Sequence, residues 1–137
     1  MSGTLWGTDD DAEPTIGRVI ARHARIIPDA PALQAPGAGA LSYRALNALV
    51  LETQGFLNAR CLGRGDRIAL ISTDPAIAAA CYLALACSVT VVPLAHTLTR
   101  QELDRLLGAL GVSAVAVAGT VAGAGNVDGV DLVDAAA

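Results

Sequence analysis

Two long stretches of this chain carry no formal charge, one from Pro75 to Thr99 and one from Leu106 to Val127. Each is long enough on count to cross a bilayer, which takes about 20 residues as a helix. The second also holds Gly119 and Gly123 at the spacing of a helix-dimerisation motif. Such runs become either two membrane spans or the buried elements of a layered α/β domain, and their internal pattern separates the two. Asp74 reads as an acidic N-cap with Pro75 at the first helical position, opening an Ala-rich helix to about Cys87. Ser88 to Leu94 then switches to Val89, Val91 and Val92, β-branched residues that favour a strand, which Pro93 should close. Thr99-Arg100-Gln101-Glu102 fits a capping box, and Leu103, Leu106, Leu107 and Leu110 follow at helical spacing. Gly111 stops that helix, and Val112 to Ala118 is a further apolar strand. Each uncharged run therefore divides into a helix and a strand, with a charged, capped helix start where they meet. The pattern predicts no membrane span.

The upstream half extends the same grammar. Residues Met1 to Pro14 form an acidic leader with Asp9, Asp10, Asp11 and Glu13. Thr15 opens a helix whose apolar stripe is Ile16, Val19, Ile20, His23 and Ile27, ended by Pro28. His23 falls within that stripe and reads as a packed ring with one nitrogen satisfied. Ala32–Gln34 and Ala40–Ser42 flank the turn Pro36-Gly37-Ala38-Gly39, a small hairpin. Ser42 then caps a helix burying Leu46, Leu49, Val50 and Leu57, with Gly63 as its left-handed stop. Asp66 to Ile71 is a continuous apolar run of the kind buried on both faces of a parallel sheet. The expected organisation is a leader over 1–14, an α/β portion over 15–118, and a Gly/Ala-rich tail over 119–137 with a weak strand at Val130 to Val133. The fold class is α/β, a partial parallel βαβ sheet flanked by helices.

Composition narrows the function. All nine basic residues are arginine, the net charge is −4, and only Trp6, Tyr43, Phe56 and Tyr82 are aromatic. Such a chain offers neither a phosphate-neutralising stripe nor a base-stacking platform, so nucleic acid is excluded as a principal partner. Without lysine it supplies no Schiff base and no lysine-assisted phosphoryl chemistry. Twenty-eight alanines make the core one of small side chains, which gains from surface supplied by another chain or domain. Cys61, Cys81 and Cys87 form no CxxC pair and, with only His23 and His96, show no zinc spacing. Free thiols and no basic-then-apolar leader point to the reducing cytoplasm.

The remaining chemistry is sparse. Gly63-Arg64-Gly65-Asp66 precedes its strand, whereas a phosphate-cradling loop follows a strand and opens a helix. No GxxxxGK[ST], GxGxxG or GxSxG is present. No residue is assigned a catalytic, cofactor-binding or metal-ligating role.

The order of the elements nevertheless resembles a known family. Leu41-Ser42-Tyr43-Arg44-Ala45-Leu46 is similar to the L-[TS]-Y-x-E-L block of AMP-forming, adenylate-forming synthetases, which include acyl-CoA synthetases and adenylation domains. Gly63-Arg64-Gly65-Asp66-Arg67-Ile68-Ala69-Leu70 resembles their G-x-G-D-R-V-A-L. The segment from Leu83 through Pro93-Leu94 resembles L-K-A-G-A-x-x-V-P-L, and Thr99 with Glu102-Leu103 resembles the helix start that follows. Pro28-Asp29-Ala30-Pro31-Ala32-Leu33 is similar to the turn after the family's opening helix. Ala45, Ala86 and Ser88 depart from the family's Glu, Lys and Gly. The resemblance covers roughly Thr15 to Ala118. Its structural motif residues here are Ser42, Tyr43, Leu46, Gly63, Gly65, Asp66, Arg67, Pro93, Leu94, Thr99 and Glu102.

The resemblance implies a superfamily that converts a carboxylate and ATP, with magnesium, to an acyl-adenylate and then a thioester of CoA or pantetheine. The family's phosphate loop, magnesium-binding Glu and catalytic Lys match no position in this chain. The expectation is the N-terminal portion of such an enzyme, catalytically incomplete alone, that associates with itself or with a downstream synthetase fragment. The alternative function is a non-catalytic partner-binding or self-associating module, with a small two-span membrane protein behind it.

Overall fold

The computed structural model describes residues 14–37, 39–118 and 130–134. The leader before residue 14, the Gly119/Gly123 pair and the tail apart from 130–134 lie outside the described residues. Helix α1 (Ile16–Ile26) starts where Thr15 accepts a hydrogen bond from the Arg18 N–H, and ends just before Pro28. Strands β1 (Pro31–Ala35) and β2 (Gly39–Ser42) pair antiparallel as the expected hairpin. Helix α2 (Tyr43–Ala59) follows from the Ser42 cap. Then come β3 (Arg67–Ser72), α3 (Pro75–Ala86), β4 (Thr90–Leu94), α4 (Arg100–Leu110) and β5 (Ala114–Ala118). Strand β6 (Val130–Asp134) lies antiparallel to β5.

The main sheet has the order β4-β3-β5-β6, with β4, β3 and β5 mutually parallel. The chain crosses from β3 to β4 on one side of the central strand and then back to β5 on the other. Right-handed crossovers in opposite directions place α3 and α4 on opposite faces of the sheet. On the α3 face, Ile68, Leu70, Ala114, Ala116 and Ala118 join Leu57, Ile77, Cys81, Leu85 and Val89 in one buried cluster. A second cluster holds α1 and α2 to α3 through Ile20, Leu46, Leu49, Val50, Ala80 and Ala84. Ala114, Ala116 and Ala118 of β5 are all buried in the first cluster, so small side chains fill part of the core there.

The opposite face is covered less completely. Ala69 and Val115 are buried there, but Ile71, Val92 and Leu94 are half-buried and Val117 is 42% exposed. Leu103, Leu106, Leu107 and Leu110 of α4 are only half-buried, and no residue of that helix is fully buried. The leucine stripe read from the sequence is present, and it is half-buried.

Among the described residues no helix is long and apolar enough to cross a membrane. The first uncharged run is divided between the 12-residue α3 and the strand β4, as its pattern requires.

Two details differ from the sequence reading. The left-handed stop after α2 is Cys61, with φ of 55°, and not Gly63. The Leu62 N–H donates to Leu57 O and the Cys61 N–H to Asn58 O, both at 3.0 Å, the paired bonds of a Schellman cap. Leu62 packs on the cluster that contains Leu57, and this apolar contact fixes the cap two residues earlier than the glycine suggests. Pro93 lies inside β4, opposite Leu70, instead of closing it. An edge strand pairs on one side only, so a residue without an N–H is accommodated there.

Placing a β-carbon in the left-handed region costs about 1–2 kcal/mol, part of which glycine returns through its freer unfolded chain. Cys61→Gly is therefore expected to stabilise the chain by about 0.5–1 kcal/mol. The urea midpoint should rise with an unchanged slope; an unchanged or lower midpoint would contradict the assignment.

Candidate functional site

Ser42, Tyr43 and Leu46 work as one joint. The Ser42 hydroxyl oxygen accepts from the Ala45 N–H at 3.1 Å, capping α2. With Ala45 at that third position, the capping box lacks its returning carboxylate. The next two amides of α2 are satisfied from elsewhere: the Tyr43 N–H donates to Ala30 O at 3.1 Å and the Arg44 N–H to Pro28 O at 3.0 Å. The Pro28–Pro31 turn thus completes the N-terminus of a helix that begins a dozen residues later. The Tyr43 ring stacks on His23, centroids 4.8 Å apart and planes at 24°. His23 Nδ1 lies 2.8 Å from Val19 O, so the ring is packed with one nitrogen satisfied, as its place in the stripe implied. Leu46 is buried beneath this joint.

Gly63, Gly65, Asp66 and Arg67 form a brace at the amino end of the sheet. The Asp66 N–H donates to Gly63 O at 3.0 Å, closing a turn in which Gly65 takes φ of 97°, as a type II turn requires at its third residue. Asp66 Oδ2 accepts from the Gly63 N–H at 2.8 Å, Oδ1 from the Ser113 hydroxyl at 3.4 Å, and the backbone oxygen from Thr90 N–H. Arg67 Nη1 donates to Leu110 O at 2.8 Å, and Arg67 O accepts from the Ser113 N–H at 2.8 Å. Four neighbouring residues therefore tie β3 to β4, to the end of α4 and to the start of β5. The glycines serve this turn, which precedes its strand and opens no helix.

Leu94 is the last residue of β4 and lies on the half-covered face, with Pro93 just before it in this edge strand. Thr99 and Glu102 start α4 with a complete capping box: the Thr99 N–H donates to Glu102 Oε2 at 2.8 Å and the Glu102 N–H to Thr99 Oγ1 at 3.2 Å. The Thr99 amide, then its hydroxyl, hold the Glu102 carboxyl below the usual carboxylate range. Its contribution is accordingly present above that range and is lost as pH falls through the depressed value.

The four motif groups are distributed along the sheet and helix starts and do not converge on one cleft. Among the described residues, no group of three or more His, Cys, Asp or Glu side chains could hold a metal ion. Cys81 is fully buried, and burial pushes its thiol up to about 11; burial also raises Cys87. Neither is an activated nucleophile. Sequence reasoning missed the Pro28 and Ala30 carbonyl caps, the Arg67–Leu110 bond and the role of Ser113. Each joins residues that no local period relates, and only the Asp66-Arg67 pair itself signalled anything.

No family model and no curated protein sequence matches the chain. Solved structures do. A putative long-chain-fatty-acid CoA ligase from Rhodopseudomonas palustris superposes with a TM-score of 0.64 at 25% identity, over 75% of this chain and 26% of that one. A Mycobacterium tuberculosis fatty acyl CoA synthetase gives 0.64 at 24% identity, over 74% and 21%. The NpsA N-terminal subdomain of Klebsiella oxytoca, solved with 3-hydroxyanthranilyl-AMSN, gives 0.63 at 20% identity, over 74% and 26%. The chain spans about a quarter of the length of these structures. Their shared fold agrees with the resemblance read from the residues: over about three quarters of its length, this chain has the fold found in N-terminal domains of acyl-CoA synthetases and related enzymes.

Proposed function

We propose that this chain is the N-terminal portion of an AMP-forming acyl-CoA synthetase-like enzyme, supplying scaffold and not reacting groups. The observation that carries the reading is the coincidence of fold and motif: the synthetase-like blocks fall on the joints of a sheet that superposes on synthetase domains over three quarters of the chain. A complete enzyme of this kind uses ATP and magnesium to form an acyl-adenylate and then a thioester of CoA or pantetheine. The residues present do not fit those groups. The chain has no lysine, and its described acidic and imidazole groups do not assemble a metal site. The setting implied by this reading, and by three free thiols, is the reducing cytoplasm.

The incompletely covered face, with Ile71, Val92 and Leu94 half-buried and Val117 exposed, supports association, either with a second copy or with a downstream synthetase segment. The alternative, a partner-binding module without catalytic descent, uses the same face. The two part on chemistry. In carboxylate-dependent pyrophosphate–ATP exchange, the purified chain should be inactive alone, and addition of the missing downstream portion should restore exchange. Robust exchange by the chain alone would overturn the scaffold reading. A complex that forms with the downstream portion and stays inactive would favour the partner-binding module.

A further inference from the structure

Strand β4 stands at one end of the sheet order, and among the described residues no strand pairs with its outer side. One bond fixes which way its backbone groups point. The Thr90 N–H donates to Asp66 O at 3.0 Å, and β4 runs beside β3 in unbroken register from Thr90 to Leu94. Backbone groups alternate sides along a strand, so Thr90, Val92 and Leu94 turn inward to β3 while Val91 and Pro93 turn outward. The outer edge therefore shows the carbonyls of Val91 and Pro93, with the Val91 N–H as its donor, because proline has none. An unpaired edge is a template for another strand, and chains blunt it with charge, a bulge, a covering segment or proline. Strand β4 reads Thr-Val-Val-Pro-Leu, without a charge, and its register shows no bulge. Pro93 itself is exposed.

We propose that Pro93 guards this edge, keeping β4 from pairing with the β4 of a second copy of the chain. A two-fold antiparallel pairing centred on Val92 would set Val91 of one copy opposite Pro93 of the other. Those positions exchange both of their N–H···O bonds in an antiparallel ladder. Val91 donates there and Pro93 does not, so half of that ladder is missing, and the proline rings stand where the donors would lie. The rest of the strand suits the pairing, since Thr90, Val91 and Val92 are β-branched. The guard leaves the half-covered sheet face as the surface for association, a consequence that rests on the face association proposed above; the guard itself does not.

The test combines sedimentation velocity with amide hydrogen exchange by nuclear magnetic resonance, on the full chain carrying Val117→Glu, with and without Pro93→Val. The Val117→Glu change weakens the face contact, so failure of the guard is read separately from failure of face association. Restoring the missing donors should tighten self-association by about tenfold or more. The Val91 amide should become protected as the pair forms. Before Pro93 is replaced, the Val91 amide should exchange about tenfold faster than that of Val92, which bonds to β3. Pro93→Thr restores the same N–H and repeats the test if Pro93→Val fails to fold, which circular dichroism reports. A Val91 amide that exchanges as slowly as Val92 with Pro93 in place would overturn the proposal, because the edge would already be paired. So would a folded Pro93→Val or Pro93→Thr chain whose association is unchanged, or one that associates while its Val91 amide exchanges as before.

Discussion

Leu57→Ala is expected to cost about 3 kcal/mol, within the 2–5 kcal/mol span of buried leucine truncations. Leu57 is completely buried in the last turn of α2, where it joins that helix to Ile68 and Leu70 of the sheet and to Ile77, Cys81 and Leu85 of α3. The sheet beneath offers Ala114, Ala116 and Ala118, which have no side-chain length with which to close a void. The vacancy would persist, and the cost would sit well above the simple transfer term. Leu57 also supplies the carbonyl that closes the Schellman cap and the apolar partner of Leu62. Domains of this size hold on the order of 5–15 kcal/mol in total, so the loss should appear as a large fall in urea midpoint. A change under about 1 kcal/mol would mean that α2 does not seat on the sheet as described.

Asp66→Ala should have the second largest effect, a loss of about 2 kcal/mol. The half-buried carboxylate accepts from the Gly63 amide and the Ser113 hydroxyl together, and its removal leaves both donors without that acceptor. The turn through Gly65 then loses the bond that sets where β3 begins. Asp66→Asn keeps one carbonyl oxygen for the Gly63 amide and should recover about half of the loss. Equal stability of wild type, alanine and asparagine variants would show that the brace is not a structural element and that Asp66 is free for another task.

The legible parts of this fold were those written in local period and end chemistry. The leucine stripe of α4 sits between Thr99-Glu102 and Gly111, and all three signals are realised. Asp74-Pro75 fixed the start of α3, and the apolar run after Asp66 is the central strand. What local pattern does not carry is relation at a distance. Cys61 takes a conformation that glycine should hold because Leu62 packs under α2, a contact between elements. Pro93 is tolerated inside β4 because that strand falls at an edge, and strand order is a property of the whole sheet. The Arg67–Leu110 bond crosses 43 residues. The synthetase resemblance was legible because its blocks are joints, each locally encoded, and for the same reason those blocks name no reacting group.

The uneven sheet bears on the proposal that this chain is a portion of a synthetase-like enzyme that associates through its open face. One face is closed by α3 over a continuous core; the other leaves Val117 exposed and the α4 leucines half-buried. Sedimentation velocity of the purified chain at concentrations on the order of tens of micromolar tests this most directly. The chain is expected to self-associate, and Val117→Glu to weaken that association with the variant still folded by circular dichroism. A compact monomer that unfolds cooperatively at ordinary stability, unchanged by Val117→Glu, would contradict it.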